Sequence, residues 1–260
     1  MSLPASGYPR TAAITPRLHL VDSVDSTNAK LLRDAVEDPE AHPHLSVVLT
    51  RDQRAGRGRL DRSWTSPPGT AVALSVLLRV GAIPVSLRGW IPLVAGAAMA
   101  HTVAAQARGI DVGLKWPNDV LAGGRKISGI LAEVVPGDPF AVVVGAGVNT
   151  AMARDQLPVP TATSFAVLDR PVDEDRLIAD YLTRLRDGIA GLAVGDSIGR
   201  AVRDDVREVC LTPGHEVSVE LPGGSSLTGT AVRIDDDGRL VVASGSRETI
   251  VAAGDVVHVR

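Results

Sequence analysis

Lys115-Trp116-Pro117-Asn118-Asp119-Val120-Leu121-Ala122, then Gly123-Gly124, then Arg125-Lys126-Ile127-Ser128-Gly129-Ile130-Leu131, is the stretch on which the reading of the fold turns. Apolar runs on either side of two glycines are the mark of a β-hairpin closed by a two-residue turn. The neighbouring sequence repeats the pattern, so strands are expected at Val112 to Trp116, Asp119 to Ala122, Lys126 to Val135 and Ala141 to Val148. Hairpins chained in this way favour a mixed or antiparallel sheet over a doubly wound parallel one. A two-residue turn sets Leu121 opposite Lys126 and Asp119 opposite Ser128, with Asp119, Lys126 and Ser128 on one face. Asp119 and Lys126 are then diagonal neighbours about 7 to 8 Å apart. A lysine so placed can neutralise a phosphoryl group or a developing oxyanion, although an ordinary cross-strand salt bridge worth less than about 1 kcal/mol explains the same residues.

Working outward, Leu18 to Val24 alternates as a strand does, and Asp25-Ser26-Thr27-Asn28 offers N-caps for a helix from Ala29 to Val36. Ser46 to Thr50 and Thr70 to Val80 read as further strands. A buried helix is expected from Ser86 to Arg108, stopping at Gly109, with Pro92 bearing on where it starts. Asp173 caps a last long helix reaching about Leu192. From Gly214 onward, Glu216 to Leu221, Gly229 to Ile234, Arg239 to Ala243 and Thr249 to Val259 are short strands joined by turns such as Asp236-Asp237-Gly238, the pattern of a small β-barrel. The expected organisation is α+β: a loose tail over residues 1–17, a catalytic domain over 18–212 built on a mixed sheet with flanking helices, and a β-barrel domain over 213–260.

Composition narrows the function. A chain of 260 residues, 45% of them apolar, can bury a full core. Its net charge of -3 argues against wholesale binding to nucleic acid or anionic membrane. The N-terminal stretch has Pro4, Gly7, Pro9 and Pro16 but no continuous apolar run, so neither a signal peptide nor a membrane span is expected. Cys210 is the single cysteine, which excludes an intrachain disulfide and fits a reducing, cytoplasmic setting.

Against that acidic background, Arg51, Arg54, Arg57, Arg59 and Arg62 crowd one loop with only Asp52 and Asp61 to balance them. Gly56 and Gly58 between them let backbone amides approach an anion while guanidinium forks grip its oxygens. Phosphate and carboxylate suit the loop equally. Trp64 follows at once and offers a surface on which a planar group can stack. A solvated basic loop followed by a core tryptophan accounts for the loop equally well when it is taken alone. No Gly-Lys-Ser/Thr follows it, and Gly145-Ala146-Gly147 lacks the third glycine of a dinucleotide fingerprint. Ser26, Thr27 and Asn28 can bind a small polar group or simply cap a helix, and Asn149 can read a base edge or close a turn.

Five segments in order, Asp25-Ser26-Thr27-Asn28, Gln53 to Arg59 with Trp64, Lys115 to Asp119, Arg125 to Leu131, and Gly145 to Asn149, closely resemble the biotin protein ligases of the monofunctional type. The strands after Gly214 also look like that family's C-terminal SH3-like domain. Leu60-Asp61 departs from the pattern, which usually has glycine before the next arginine. The resemblance implies a class II aminoacyl-tRNA synthetase-like core, ATP and Mg2+ as co-substrate and metal, and a two-step reaction through biotinyl-5'-AMP to a lysine of a biotin carboxyl carrier protein or domain. It further implies Arg57 and Lys126 as the charge-bearing catalytic pair. Ser26, Thr27, Asn28, Gln53, Gly56, Arg57, Arg59, Lys126 and Gly129 would bind biotin, and Arg57, Arg59, Arg62, Trp64, Asn118, Asp119, Lys126 and Asn149 would bind the nucleotide. Protein ligands for the metal are not legible. A chain of this kind is expected to act as a monomer or weak homodimer. The roughly twenty residues before the first motif are too few for a helix-turn-helix, so no DNA binding is expected. Before ligand arrives, residues 51–61 are expected to be mobile.

Overall fold

Seven strands form one mixed sheet in the computed structural model, which describes residues 7–60, 62–221, 225–252 and 254–258. They are β1 (Leu18–Leu20), β2 (Val47–Thr50), β5 (Ala71–Arg79), β6 (Val112–Lys115), β7 (Asp119–Ala122), β8 (Arg125–Val135) and β9 (Asp138–Asn149). The spatial order is β1-β2-β5-β9-β8-β7-β6, with β1 and β2 parallel and every other pair antiparallel. Two further strands, β3 (Gly56–Arg57) and β4 (Ser63–Trp64), fold the arginine segment into a small ribbon above the sheet.

The two faces of the sheet are filled differently. On one, Val72, Leu74, Val76 and Leu78 of β5 join Val144, Ala146 and Val148 of β9 in a large core under α3 (Ile91–Gln106) and α4 (Glu174–Ala193). On the other, Leu77, Val143 and Ala141 pack under Leu31 and Ala35 of α2 (Thr27–Glu37). From the first turn of α2 outward that second face continues with mostly small residues. Ala73, Gly147 and Gly129 lie side by side in one row, and Ser75, Gly145 and Leu131 in the next. The unfilled part of this face is the floor of the site.

Ser26 caps α2 by accepting from the Ala29 amide, as its position before the helix predicts. Gly123 and Gly124 both have positive φ, +56° and +71°, the conformation a tight two-residue hairpin turn demands. Leu121 faces Lys126 as expected, but a bulge between Val120 and Leu121 shifts the rest of the register. Asp119 therefore stands opposite Gly129, and Ser128 pairs with Val120 and is fully buried. The expected shared face of Asp119, Lys126 and Ser128 is corrected by that one extra residue. Asp119 joins the glycine row while Ser128 leaves it.

Other expectations also change. Residues 9–14, read as part of a loose tail, form the helix α1 (Pro9–Ile14), held because Asp175 accepts from the Arg10 and Thr11 amides at 2.9 Å each. The helix α3 starts at Ile91 after a 3-10 turn, with Pro92 in its first turn where a missing N–H costs no bond. A helix that the sequence did not announce, α5 (Gly195–Val209), follows α4. Its apolar stripe is narrow, Ile198, Val202, Val206 and Val209, three of them β-branched valines of modest helix propensity. The C-terminal region is a five-stranded antiparallel sheet of β10 (Glu216–Glu220), β11 (Ser226–Ile234), β12 (Leu240–Ser244), β13 (Arg247–Val251) and β14 (Asp255–His258), in the order β13-β12-β11-β10-β14. The strand expected over Thr249 to Val259 thus divides between β13 and β14, with Val259 outside the described residues.

The C-terminal sheet grips the larger domain through two tryptophans. Trp90 Nε1 donates to Asp236 O at 2.8 Å, and Trp116 Nε1 donates to Gly238 O at 3.1 Å. Thr212 Oγ1 accepts from the Trp116 amide at 2.9 Å. Gly89 makes the contact possible, since a Cβ there would stand 2.5 Å from Asp237 O.

Candidate active site

The glycine rows explain what sits above them. A Cβ at Gly145 would fall 2.2 Å from Asn28 Oδ1, and one at Gly147 would fall 2.5 to 2.9 Å from the Trp64 indole. Gly129 is nearly as tight, 3.2 Å from Lys126 Nζ and 3.3 Å from Trp64 Cζ3. Glycine inside a strand weakens it, so three such residues on one face mark a place where other groups must come close to the sheet. In the sequence Gly145-Ala146-Gly147 looked like an incomplete nucleotide loop; in space it is a floor.

Over this floor lies a pocket that brings together most of the residues named from sequence. Ser26, Thr27 and Asn28 at the start of α2 line it with Gln53, and so do Arg57, Arg59, Arg62 and Trp64 of the arginine segment. Asn118, Asp119, Lys126 and Gly129 complete it from the β7–β8 side. Gly56 stands behind the wall, with the Gln53 amide and the Trp64 carbonyl so close that a Cβ would meet them at 2.3 and 2.5 Å. Arg51 and Arg54 do not reach the pocket: Arg51 pairs with Glu174, and Arg54 with Asp52 at 3.1 Å. Asp61 lies outside the described residues. Leu60 takes φ +53°, a left-handed conformation costly for a side chain of its kind, next to the place where the family pattern has glycine.

Polar side chains are fixed before any ligand arrives. Gln53 Oε1 accepts from the Thr27 amide at 2.8 Å and from Thr27 Oγ1 at 3.1 Å. Buried Ser75 donates to Asn28 Oδ1 at 2.5 Å, while Asn28 Nδ2 donates to Leu131 O at 3.2 Å and Glu133 Oε2 at 2.7 Å. Arg57 Nη2 also pairs with Glu133 Oε2, at 3.0 Å. Ser75 and Glu133 escaped the sequence reading. Both lie mid-strand, and the signal that could have found them is alternation: Ser75 shares a face with Ala73, and Glu133 with Leu131 and Gly129.

Lys126 Nζ is 2.6 Å from Asp119 Oδ1 and 5.7 Å from the centre of the Trp64 ring. The lysine side chain spans the diagonal across β7–β8 to reach the carboxylate, even though the bulge sets Asp119 opposite Gly129. Asn118 is held at both ends of its amide, with Nδ2 donating to Ile130 O at 2.8 Å and Oδ1 accepting from Arg59 at 3.3 Å. Asn149 ends β9 beside the pocket instead of lining it. Its Nδ2 donates to Thr163 O at 2.8 Å, whereas its buried Oδ1 and the Trp64 indole N–H have no hydrogen-bond partner among the described residues. Two unmet polar atoms beside a half-open pocket are the kind that a bound molecule satisfies.

No group of three or more His, Cys, Asp or Glu that could hold a metal ion occurs among the described residues. Asp119 is the carboxylate lining the pocket and is already matched to Lys126. The donor set therefore fits a cation carried in on substrate phosphates better than a resident one.

A mixed sheet whose bare face gathers guanidinium, ammonium and indole groups over a polar slot has the charge and shape to receive a small anionic ligand. The model of the Biotin/lipoate A/B protein ligase family matches residues 20–149, and that of the Biotin protein ligase C terminal domain matches residues 212–259. The chain belongs to this ligase family. It is 41% identical over 246 residues to the biotin--[acetyl-CoA-carboxylase] ligase of Mycobacterium tuberculosis, an alignment covering 94% of this chain and 90% of that one. The bifunctional ligase/repressor BirA of Escherichia coli is 35% identical over 168 residues, 63% of this chain and half of that protein. Among solved structures, the biotin protein ligase from Aquifex aeolicus in complex with biotin and ATP has a TM-score of 0.77 at 23% identity, covering 94% of this chain and 99% of that chain, which establishes a common fold.

Proposed function

We propose that this chain activates biotin with ATP to biotinyl-5'-AMP and then transfers biotin to a lysine of a biotin carboxyl carrier protein or domain. The observation that carries the reading is the 41% identity, along 94% of the chain, to a biotin--[acetyl-CoA-carboxylase] ligase. The pocket supports it residue by residue. In the first step a carboxylate oxygen of biotin attacks the α-phosphorus of ATP and pyrophosphate leaves. In the second, a lysine amine attacks the carbonyl carbon of the mixed anhydride, AMP leaves, and the amine gives up a proton.

Both steps gather negative charge at one spot, so the residues serve mainly by position and charge. Arg57 and Lys126 hold the carboxylate and the α-phosphate together. Ser26, Thr27, Asn28 and Gln53 offer the fixed donors and acceptors that a ureido ring needs, with Gly56 and Gly129 leaving room for it and Arg59 closing its charged end. Trp64 packs on the adenine, while Arg59, Arg62, Asn118 and Asp119 meet the phosphates or their Mg2+, which enters with ATP. Asn149 Oδ1 accepts from the purine edge. The core is of the class II aminoacyl-tRNA synthetase type and the C-terminal sheet SH3-like. No DNA partner is proposed, and the protein works in the cytoplasm as a monomer or weak homodimer; no helix among the described residues is long and apolar enough to cross a membrane.

Pyrophosphate exchange into ATP tests the reading directly, with biotin, lipoate or no acid supplied. Biotin-dependent exchange that disappears in Lys126→Ala and Arg57→Ala is the expected result. Exchange with lipoate alone would move the chain to the other branch of its family, and no exchange at all would refute the activity.

A further inference from the structure

Arg51 opens the arginine segment yet points away from the pocket. Its guanidinium meets Glu174 at 3.2 Å in a pair whose side chains are only 18% and 13% exposed. The same guanidinium donates from Nη2 to Gly69 O at 2.8 Å, and the Gly69 amide donates back to Arg51 O at 2.7 Å. Residues 51 and 69 are the two ends of the segment that carries Arg57, Arg59, Arg62 and Trp64. Arg51 therefore ties its stem shut.

Glu174 serves more than this one cation. Its Oε1 accepts from Thr150 Oγ1 at 2.9 Å, next to Asn149, and the Thr150 amide in turn donates to Thr70 O. Its Oε2 accepts from the phenol of Tyr8 at 3.1 Å, and Tyr8 is 3% exposed. Burial and the Glu174 charge push that phenol upward, so it stays a donor. Glu174 begins α4, where the helix dipole favours a carboxylate. Its neighbour Asp175 anchors α1 through Thr11, so the first turn of α4 joins the N-terminal helix to the stem.

We infer that Arg51 and Glu174, braced by Tyr8, are positioning residues that set the geometry of the pocket wall without touching substrate. Of the five arginines in the segment, one is structural support for the others. A ligand that needs the wall in one arrangement binds in proportion to the population of that arrangement, so loosening the stem weakens binding without removing any contact. The inference rests on the proposed function for the identity of that ligand, but not for the effect on the wall.

Glu174→Gln and Tyr8→Phe in the full chain test it, with Ile14→Ala as a control that disturbs α1 without entering the network. Amide exchange of residues 52–68 without ligand is read first, by mass spectrometry well below the melting temperature. Faster exchange in both variants and not in the control is expected, with a biotin Kd raised about tenfold in Glu174→Gln, less in Tyr8→Phe, and more AMP released without acceptor. Unchanged exchange and Kd in both variants, or an equal effect in Ile14→Ala, would overturn the inference and leave the network a matter of stability alone. Should Glu174→Gln not fold, Tyr8→Phe decides by itself, since it removes one oxygen. Wild-type protein that binds no biotin would sink the proposed function, whereas the exchange result stands or falls separately.

Discussion

Glu133 holds the guanidinium that the proposed function assigns to the biotin carboxylate and the α-phosphate. Its Oε2 sits 3.0 Å from Arg57 Nη2, as a substrate carboxylate or phosphate oxygen would. Arg57 must leave it, at least in part, to meet a ligand. The two side chains are 45% and 25% exposed, so the pair belongs with half-solvated ion pairs worth about 0.2 to 1 kcal/mol. Glu133→Gln removes the charge while keeping an oxygen that can accept from Asn28 Nδ2, so the polar slot is preserved. Releasing Arg57 at that cost should tighten biotin binding by up to about fivefold, because 1.4 kcal/mol is a factor of ten. Titration calorimetry of wild type and variant reads this directly. Raising the salt should narrow the gap, since an exposed pair is screened. A biotin Kd weakened tenfold or more at unchanged melting temperature would refute the reasoning and make Glu133 the residue that aims Arg57.

Gly147→Ala places a methyl group 2.5 to 2.9 Å from the Trp64 indole, so the ring must move; ATP binding should fall by about two- to twelvefold, with a shift in tryptophan emission, since an aromatic stack is worth about 0.5 to 1.5 kcal/mol. Cys210→Ser should leave pyrophosphate exchange intact, and the native thiol should resist alkylation, because it is buried and its pKa is raised by that burial. His258 is pushed down from 6.5 to about 4, first by burial and then by Lys115 and stacked His215. Between those values the unfolded chain binds a proton that the folded one does not, so stability should drop as pH falls from about 6.5 to about 4. Melting temperatures across that range should fall less steeply in His258→Gln; equal slopes would dismiss the histidine.

Local signals in the sequence carried far where they were chemical. Gly123-Gly124 announced a turn that needs two positive φ values, and Ser26 announced a cap, because each has one strong local reason to be there. The pocket was legible because its residues cluster in short motifs. What stayed hidden depends on partners distant along the chain. The bulge that moves Asp119 opposite Gly129 has no marker of its own, and one residue of slip changes which side chains share a face. Glu174 and Tyr8 lie 166 positions apart, and nothing near either of them points to Arg51. The helix α5 was lost although Ile198, Val202, Val206 and Val209 keep helical spacing, because Gly195, Gly199 and a wholly β-branched stripe lower its local helix propensity, and a tail rich in proline gave no hint of the carboxylate that would dock it.

Trp116 ties two domains with a short rope. One end of the Lys115–Asn118 strap hangs from Thr212 and Gly238, and the other carries Asn118 and then Asp119 into the pocket. A force applied to the C-terminal sheet is thereby delivered to the Asn118–Asp119 side of the pocket across only a few bonds. A binder selected against that sheet alone should therefore alter biotin-dependent pyrophosphate exchange from outside the pocket.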